Sequence, residues 1–184
     1  MKRIAYILLF SLLLISCGTR SGYFKMEGRF LHMNQGELYV YSPDGGIAGL
    51  DTIKIEAGRF SYEKPCSKPS TLIIIFPNYS TQPIFAESGE AVEVKADASH
   101  LKEMEVEGTE DNELMTKFRK QIASVSPPEE LKYAIAFIKD HPESAVSVYL
   151  LNRYLVQTES PDYKQAAKLL PLLIKEQPDN ATLG

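Results

Sequence analysis

Two hydrophobic periods share this chain and meet at Gly108–Thr109, and that change constrains the fold more than any other feature. From Phe24 to about Val106, short β-prone runs alternate with period two, broken by turn residues roughly every ten positions. Lys25–Leu31 leads into Glu37–Tyr41, and Ser42–Gly46 carries the proline, aspartate and glycines of a turn. Asp51–Glu56 alternates, turns through Ala57-Gly58 and returns as Arg59–Glu63. Thr71–Phe76 is apolar without alternation, which predicts a strand covered on both faces and placed centrally. Pro83–Ala86, Ala91–Lys95 and Glu103–Glu107 complete seven or eight antiparallel strands. Beyond Gly108 the period becomes that of a helix. Thr109–Asn112 offers N-cap candidates, and Leu114, Met115, Phe118 and Ile122 share one face. Pro127-Pro128 opens a second helix with a stripe of Leu131, Ala134, Ile135 and Ile138. His141–Ser144 ends it and opens a third, whose Val148, Leu151 and Leu155 face inward. A fourth runs from Pro161 towards Glu176, with Pro171 expected to kink or shorten it. The expected fold is α+β: an N-terminal antiparallel β-sandwich or partly open barrel over residues 24–108, then a set of α-helices over 109–184 whose stripes are core and pack on the sheet.

Residues 1–16 read as an address rather than as part of this fold. Lys2 and Arg3 form a positive n-region, Ile4–Ile15 is apolar, and Leu14-Ile-Ser-Cys17 resembles a lipobox, so Cys17 is the expected lipidation site and the membrane the expected partner. The apolar run falls short of the roughly 20 residues that span a bilayer, so it targets without staying. Residues 17–23 read as a short tether. The signal holds two basic residues and no acidic one, so the mature chain is more acidic than the full chain at −4. Nucleic acid is excluded as a partner by that balance, because phosphate binding needs a basic face.

Residues that could carry chemistry are few. With Cys17 acylated, Cys66 is the only thiol left; the flanking Lys64 and Lys68 would lower its pKa modestly, but with no base indicated to activate it the expectation is a plain buried or half-buried free thiol. No internal disulfide and no Cys-x-x-Cys redox pair can form. His32, His100 and His141 are isolated in sequence, which leaves no zinc ligand set. Glu87-Ser-Gly-Glu90 brings two carboxylates near each other but reads as a hairpin turn, and no serine elbow, catalytic triad, metal or cofactor motif occurs. Asp51-Thr-Ile53 looks like the sequon for O-glycosylation at Thr52 used by Bacteroides-like bacteria. Tyr39, Tyr41, Tyr62 and Tyr79, if exposed, offer rings on which a ligand can stack.

The lipobox, Gly28-Arg-Phe30, Asp51–Ile55, Gly58–Tyr62, Glu87–Glu90 and Val106–Asn112 together resemble the DUF4369 domain of Bacteroidetes lipoproteins over about residues 24–122. His141–Ser144 and the helices after it resemble the connector that follows that domain. The resemblance implies a lipid-anchored envelope protein. In many relatives the β domain and connector precede a thioredoxin-like domain, which is therefore an expected partner along with other envelope proteins. Relatives exported to the cell surface carry acidic residues after the cysteine; Gly18–Ser21 lacks them, which points to the periplasmic face of the outer membrane. The family's redox cysteines match no position here, so no catalytic residue is implied. The expected function is a non-enzymatic binding or positioning module. Two alternatives stay open: the truncated or split part of a thiol-disulfide oxidoreductase, and a glycan- or peptide-binding lipoprotein.

Overall fold

The computed structural model describes residues 19–180, 182 and 183; Cys17 and the signal before it lie outside the described residues. Eight strands form one sheet: β1 (Tyr23–Leu31), β2 (Gln35–Tyr41), β3 (Leu50–Glu56), β4 (Arg59–Pro65), β5 (Ser70–Ile75), β6 (Thr81–Ala86), β7 (Ala91–Asp97) and β8 (Glu105–Glu107). Their order is β6-β5-β2-β3-β4-β1-β7-β8, and the sheet curls into a nearly closed barrel around a single core. One curled sheet removes the sandwich from the two expected architectures. It also corrects the all-antiparallel expectation: β1 runs parallel to β7, with Lys25 opposite Ala91 and Leu31 opposite Asp97. A parallel pair cannot be joined by a tight turn, and here the five intervening strands serve as the crossover.

The alternation in the sequence decides what fills the barrel. Met26, Leu38, Val40, Ile74, Ile84, Val94, Met104 and Val106 are fully excluded from water. Gly28 also faces inward on β1, where an added Cβ would lie 2.5 Å from the Val94 carbonyl and 2.7 Å from the Phe60 ring, so the absent side chain is replaced by Phe60. β5 is buried on both faces, as its unbroken apolar run requires, with Leu72 and Ile74 in the barrel and Ile73 7% exposed on the outside. It is not the middle strand, however; it pairs with β2 and β6, second from one edge.

Four helices follow: α1 (Glu110–Ile122), α2 (Pro127–Asp140), α3 (Ala145–Leu151) and α4 (Tyr163–Glu176). Ser126 and Glu129 close a capping box over α2, whose first turn carries the prolines. Ser144 caps α3 by accepting from Val146, and Asp162 caps α4 by accepting from Gln165. α4 continues through Pro171 to Glu176, so the proline does not shorten it. α3 passes into a π turn, Asn152–Val156, which the periodicity did not announce.

The apolar stripes of these helices mostly pack on one another. Met115 and Phe118 of α1, Ala134 and Ile138 of α2, Val146, Val148 and Leu150 of α3, and Leu169 and Leu173 of α4 make a second core, to which the sheet contributes Phe85. The face of α1 that meets the barrel is polar. The edge strands β6 and β8 do not pair with each other, and α1 lies along the seam between them. Asn112 treats β6 as a strand would: its Oδ1 accepts from the Phe85 amide at 3.0 Å and its Nδ2 donates to the Phe85 carbonyl at 2.7 Å. Thr116 does the same for β8, its hydroxyl accepting from the Val106 amide at 2.8 Å and donating to the Val106 carbonyl at 3.0 Å. Arg119 spans both edges, donating to the Pro83 carbonyl at 3.0 Å, the Met104 carbonyl at 3.3 Å and Gln82 Oε1 at 2.8 Å. Burial lowers its pKa to about 10, so it keeps its charge at neutral pH.

Asp111, on the same helix, ties α1 to α3. Its carboxylate accepts from the Ser144 hydroxyl and from the Ala145 amide. Burial pushes its carboxyl up, and Glu110 and Glu143 push it further, although the bonds from Ser144 and Ala145 oppose them.

Three outcomes follow from this packing. Thr116→Val, which keeps the shape but strands both Val106 edge groups, costs about 1–3 kcal/mol in urea unfolding, and Thr116→Ser recovers most of it. Ile74→Ala costs about 2–5 kcal/mol, while Ile75→Ala, half-buried on the outer face, costs about 1 kcal/mol. For Asp111, a raised folded pKa means the folded chain holds a proton the unfolded chain has lost. This group's contribution to stability therefore grows as pH falls through the folded value towards the unfolded one. Urea midpoints at pH 7 and pH 5 should show a smaller acid-side gain in Asp111→Asn than in the parent chain.

Candidate functional site

Register places a strip of large side chains on the outer face of the sheet. Tyr41 stands opposite Leu50 of β3 and Ile73 of β5, and Tyr39 opposite Thr52 and Ile75. Tyr39 and Tyr41 point the same way, about 7 Å apart along β2, and are 41% and 36% exposed; Leu50 is 61% exposed. At the Tyr41 end this strip runs into a cleft of about 1020 Å³ between the sheet and the helices. Tyr41, Ile73 and Thr81 form one wall, Val148, Tyr149, Asn152, Arg153 and Gln157 the other, and Lys68 and Pro69 with residues 176–180 the rim. π turns recur at functional sites, and this one supplies Asn152 and Arg153 to the cleft wall.

Some polar groups of the cleft are already used by the protein. Asp44 accepts from Ser42, from the Gly46 amide at 3.2 Å and from the Thr71 amide at 2.7 Å, and so fixes the loop between β2 and β3. Gln177 donates to the Pro142 and Ser144 carbonyls, and Asn180 donates to Gln177. Others are uncommitted: among the described residues, the side chains of Lys68, Asn152, Arg153 and Gln157 and the hydroxyl of Tyr149 have no hydrogen bond or carboxylate partner. The Tyr149 ring packs edge-on to Phe85 at 6.4 Å, and burial raises the pKa of its phenol, which keeps it a neutral donor. A second concavity, between β1, β4 and β7, sets Arg29, Lys54 and Arg59 against Glu27, Glu56, Glu93 and Glu107 and has no exposed aromatic ring.

The residues singled out from the sequence are dispersed. Cys66 is a buried free thiol whose Sγ donates to the Lys68 carbonyl at 3.3 Å. Its pKa is raised, not lowered as its flanking lysines suggested: burial is the main cause, Glu87 adds to it, and Lys64 is held 2.6 Å from Asp51. Thr52 is exposed on β3, and its amide donates to Asp51 at 2.9 Å. Asp51 is itself occupied by Lys64 and by the Tyr62 hydroxyl, which hold its carboxyl below the usual range. Tyr62 is 6% exposed and belongs to the barrel core, while Tyr79 is 88% exposed on the turn between β5 and β6, so only Tyr39 and Tyr41 of the four share a face. None of the three histidines is isolated in space: His32 lies 2.9 Å and His100 3.7 Å from Asp97, and His141 lies 3.5 Å from Glu143. His32 and His100 use Nδ1 on the same carboxylate, which hydrogen bonds from Ser99 and then His32 hold well below the usual range, and no group among the described residues is arranged to hold a metal ion. His141 caps α2 through its backbone and stacks on Phe137 at 4.8 Å. Glu87–Glu90 is a turn, with Gly89 at φ 88° donating to the Tyr23 carbonyl. Burial, with Asp111 and Glu90 nearby, raises the Glu87 carboxyl. Tyr149, Asn152, Arg153 and Gln157 were missed, because they sit beside core positions of an amphipathic helix and the π turn that groups them leaves no mark in the sequence.

Comparison with known proteins gives little beyond the family. No curated protein matches the chain. A crystal structure from Bacteroides ovatus ATCC 8483, described provisionally as that of a cell adhesion protein, is similar at 14% identity with a TM-score of 0.29. The match covers 50% of this chain and 44% of that one, so the chain spans less than half of that protein's length. Likeness at that score does not define a shared fold. No helix among the described residues is long and apolar enough to cross a membrane. The profile of the domain of unknown function DUF4369 matches residues 24–115, half of the sequence, and the chain belongs to that family.

Proposed function

We propose that the chain is a non-enzymatic binding or positioning module of the bacterial envelope, anchored through lipid on Cys17 and using the cleft between barrel and helices as its binding face. One observation carries the reading. The barrel interior is filled by its own side chains, whereas the cleft outside it is open and lined in part by polar side chains, those of Lys68, Tyr149, Asn152, Arg153 and Gln157, that make no hydrogen bond to the described chain. A ligand therefore meets this protein at the cleft rather than inside the barrel. The raised pKa of the buried Cys66 thiol supports a module without thiol chemistry of its own, since the thiolate is the reactive form.

The first described residues and the cleft belong to the same end of the barrel. The Gly22 carbonyl accepts from the Cys66 amide at 2.8 Å, three residues before the Pro69 rim. From Cys17 to Gly22 the chain extends at most about 17 Å. A lipid on Cys17 would thus hold the cleft close to the membrane on its periplasmic face, where it could position an envelope partner.

Metabolic palmitate labelling tests the anchor directly. The parent chain should incorporate label and partition into detergent, and Cys17→Ser should remain unlabelled and keep residues 1–16. Label that persists in Cys17→Ser, or an unlabelled parent chain recovered from the aqueous phase, would overturn the anchored module.

A further inference from the structure

The strip and the cleft together specify a ligand class, an inference that rests on the binding-module reading and goes beyond it. We propose that they bind an acidic saccharide, a chain of sugar rings bearing carboxylates, with the rings laid on Tyr41 and Tyr39 and a carboxylate drawn to Arg153 and Lys68.

Shape and backbone pairing exclude the main rival modes. A peptide that adds to a sheet needs a free strand edge. The two strands under the site, β2 and β5, are each paired on both sides: β2 with β3 and β5, β5 with β2 and β6. Recognition must therefore come from side chains. Tyr39 and Tyr41 present two phenol rings on one face of one strand, with Leu50 and Ile75 beside them. Such a strip accepts the C–H face of a ring while the ring's hydroxyl edges stay accessible. Those edges need planar, bidentate partners, and the cleft wall offers the Asn152 and Gln157 amides and the Arg153 guanidinium together with the Tyr149 hydroxyl.

Charge selects an acidic ligand over a neutral one. The cleft is lined by two cations, Lys68 and Arg153, and by the carboxylates of Asp44, Glu176 and Asp179, so selection rests on which of these groups a ligand can engage. Asp44 is consumed by three donors of its own loop and strand, and Glu176 is met by Lys175 at 2.7 Å. Lys68 and Arg153 have no carboxylate partner among the described residues, so they are the charged groups free to take a ligand carboxylate, while Asp44 keeps its charge with its oxygens already occupied. A guanidinium on the wall opposite an exposed aromatic ring suits a carboxylate carried on a sugar ring, since the fork binds the oxygens while the tyrosine carries the ring.

Calorimetric titration of the full chain in detergent, with hexagalacturonate as probe and cellohexaose as the neutral control, tests the class. The acidic hexamer should bind at least tenfold more tightly, with the preference shrinking as salt is raised. Tyr41→Ala should weaken both ligands at least tenfold, and Tyr41→Phe should restore them. Arg153→Gln should weaken the acidic hexamer far more than the neutral one and so abolish the preference; that side chain is exposed, so the variant keeps the test decisive even where Tyr41→Ala unfolds the barrel. No binding of galacturonate, glucuronate or mannuronate oligomers overturns the proposal, as does binding indifferent to both positions. Tighter binding of a Glu-Tyr peptide through Tyr41 and Arg153 overturns the ligand class while leaving the binding module intact. Palmitate labelling decides the anchor independently of all these outcomes.

Discussion

Everything in this structure depends on how a sheet of eight strands is stopped from having edges. β6 and β8 end the sheet without meeting, and unpaired edge groups are both costly when buried and prone to recruit foreign strands. α1 closes the gap with Asn112, Thr116 and Arg119, spaced as one stripe of a helix, each bonding to edge groups that a ninth strand would otherwise satisfy. The arrangement inverts the usual helix, whose apolar face meets the sheet. Here the polar stripe faces the barrel and the apolar stripe faces the other helices. Each bond contributes only about 1 kcal/mol net, but leaving an edge group unmet costs more, so the three residues hold the fold mainly through what their loss would expose. Arg119 raises the stakes, because a buried cation held by carbonyls tolerates little displacement.

Closing the barrel this way moves function to its surface. A packed interior leaves no lumen for a ligand, and the helices that bury the outer face near Phe85 stop short of Tyr39, Tyr41 and Leu50. The boundary between covered and uncovered sheet is where the cleft forms. Its chemistry is mixed for the same reason: one wall is the outside of a strand, the other the solvent side of a helix turn.

Much of the fold was legible because it rests on local periodicity. Period two in Asp51–Glu56, the doubly buried run at Thr71–Phe76 and the prolines opening α2 all report the environment of their own segment. Pairing partners are set by contacts distant in sequence, so the parallel pair β1–β7 and the second place of β5 were not visible. Asn112 read as a cap and nothing in the sequence singled out Thr116 or Arg119, since a buried polar stripe and an exposed one have the same spacing. The buried thiol at Cys66 was expected, but the modest lowering of its pKa by the adjacent lysines was not met, because the fold buries the sulfur near Glu87 and engages Lys64 elsewhere. Of the candidate site, the sequence offered Tyr39 and Tyr41 only among four tyrosines, of which the fold buries Tyr62 and sets Tyr79 on the turn between β5 and β6; the opposing wall needed the π turn.

Seam and cleft are also built from shared parts, which makes the site as rigid as the barrel closure. Asn112 holds the backbone of Phe85 through both of its polar groups. The ring of Phe85 leaves the barrel and packs edge-on against Tyr149, the deepest aromatic of the cleft wall. Arg119 acts on the same tyrosine at longer range, its charge opposing the rise that burial causes in the phenol's pKa. A loosened seam would therefore shift Phe85 first and Tyr149 with it, changing the depth of the cleft before the barrel came apart. The edge strand thus serves twice: its backbone closes the fold, and its one outward aromatic side chain sets where the binding wall stands.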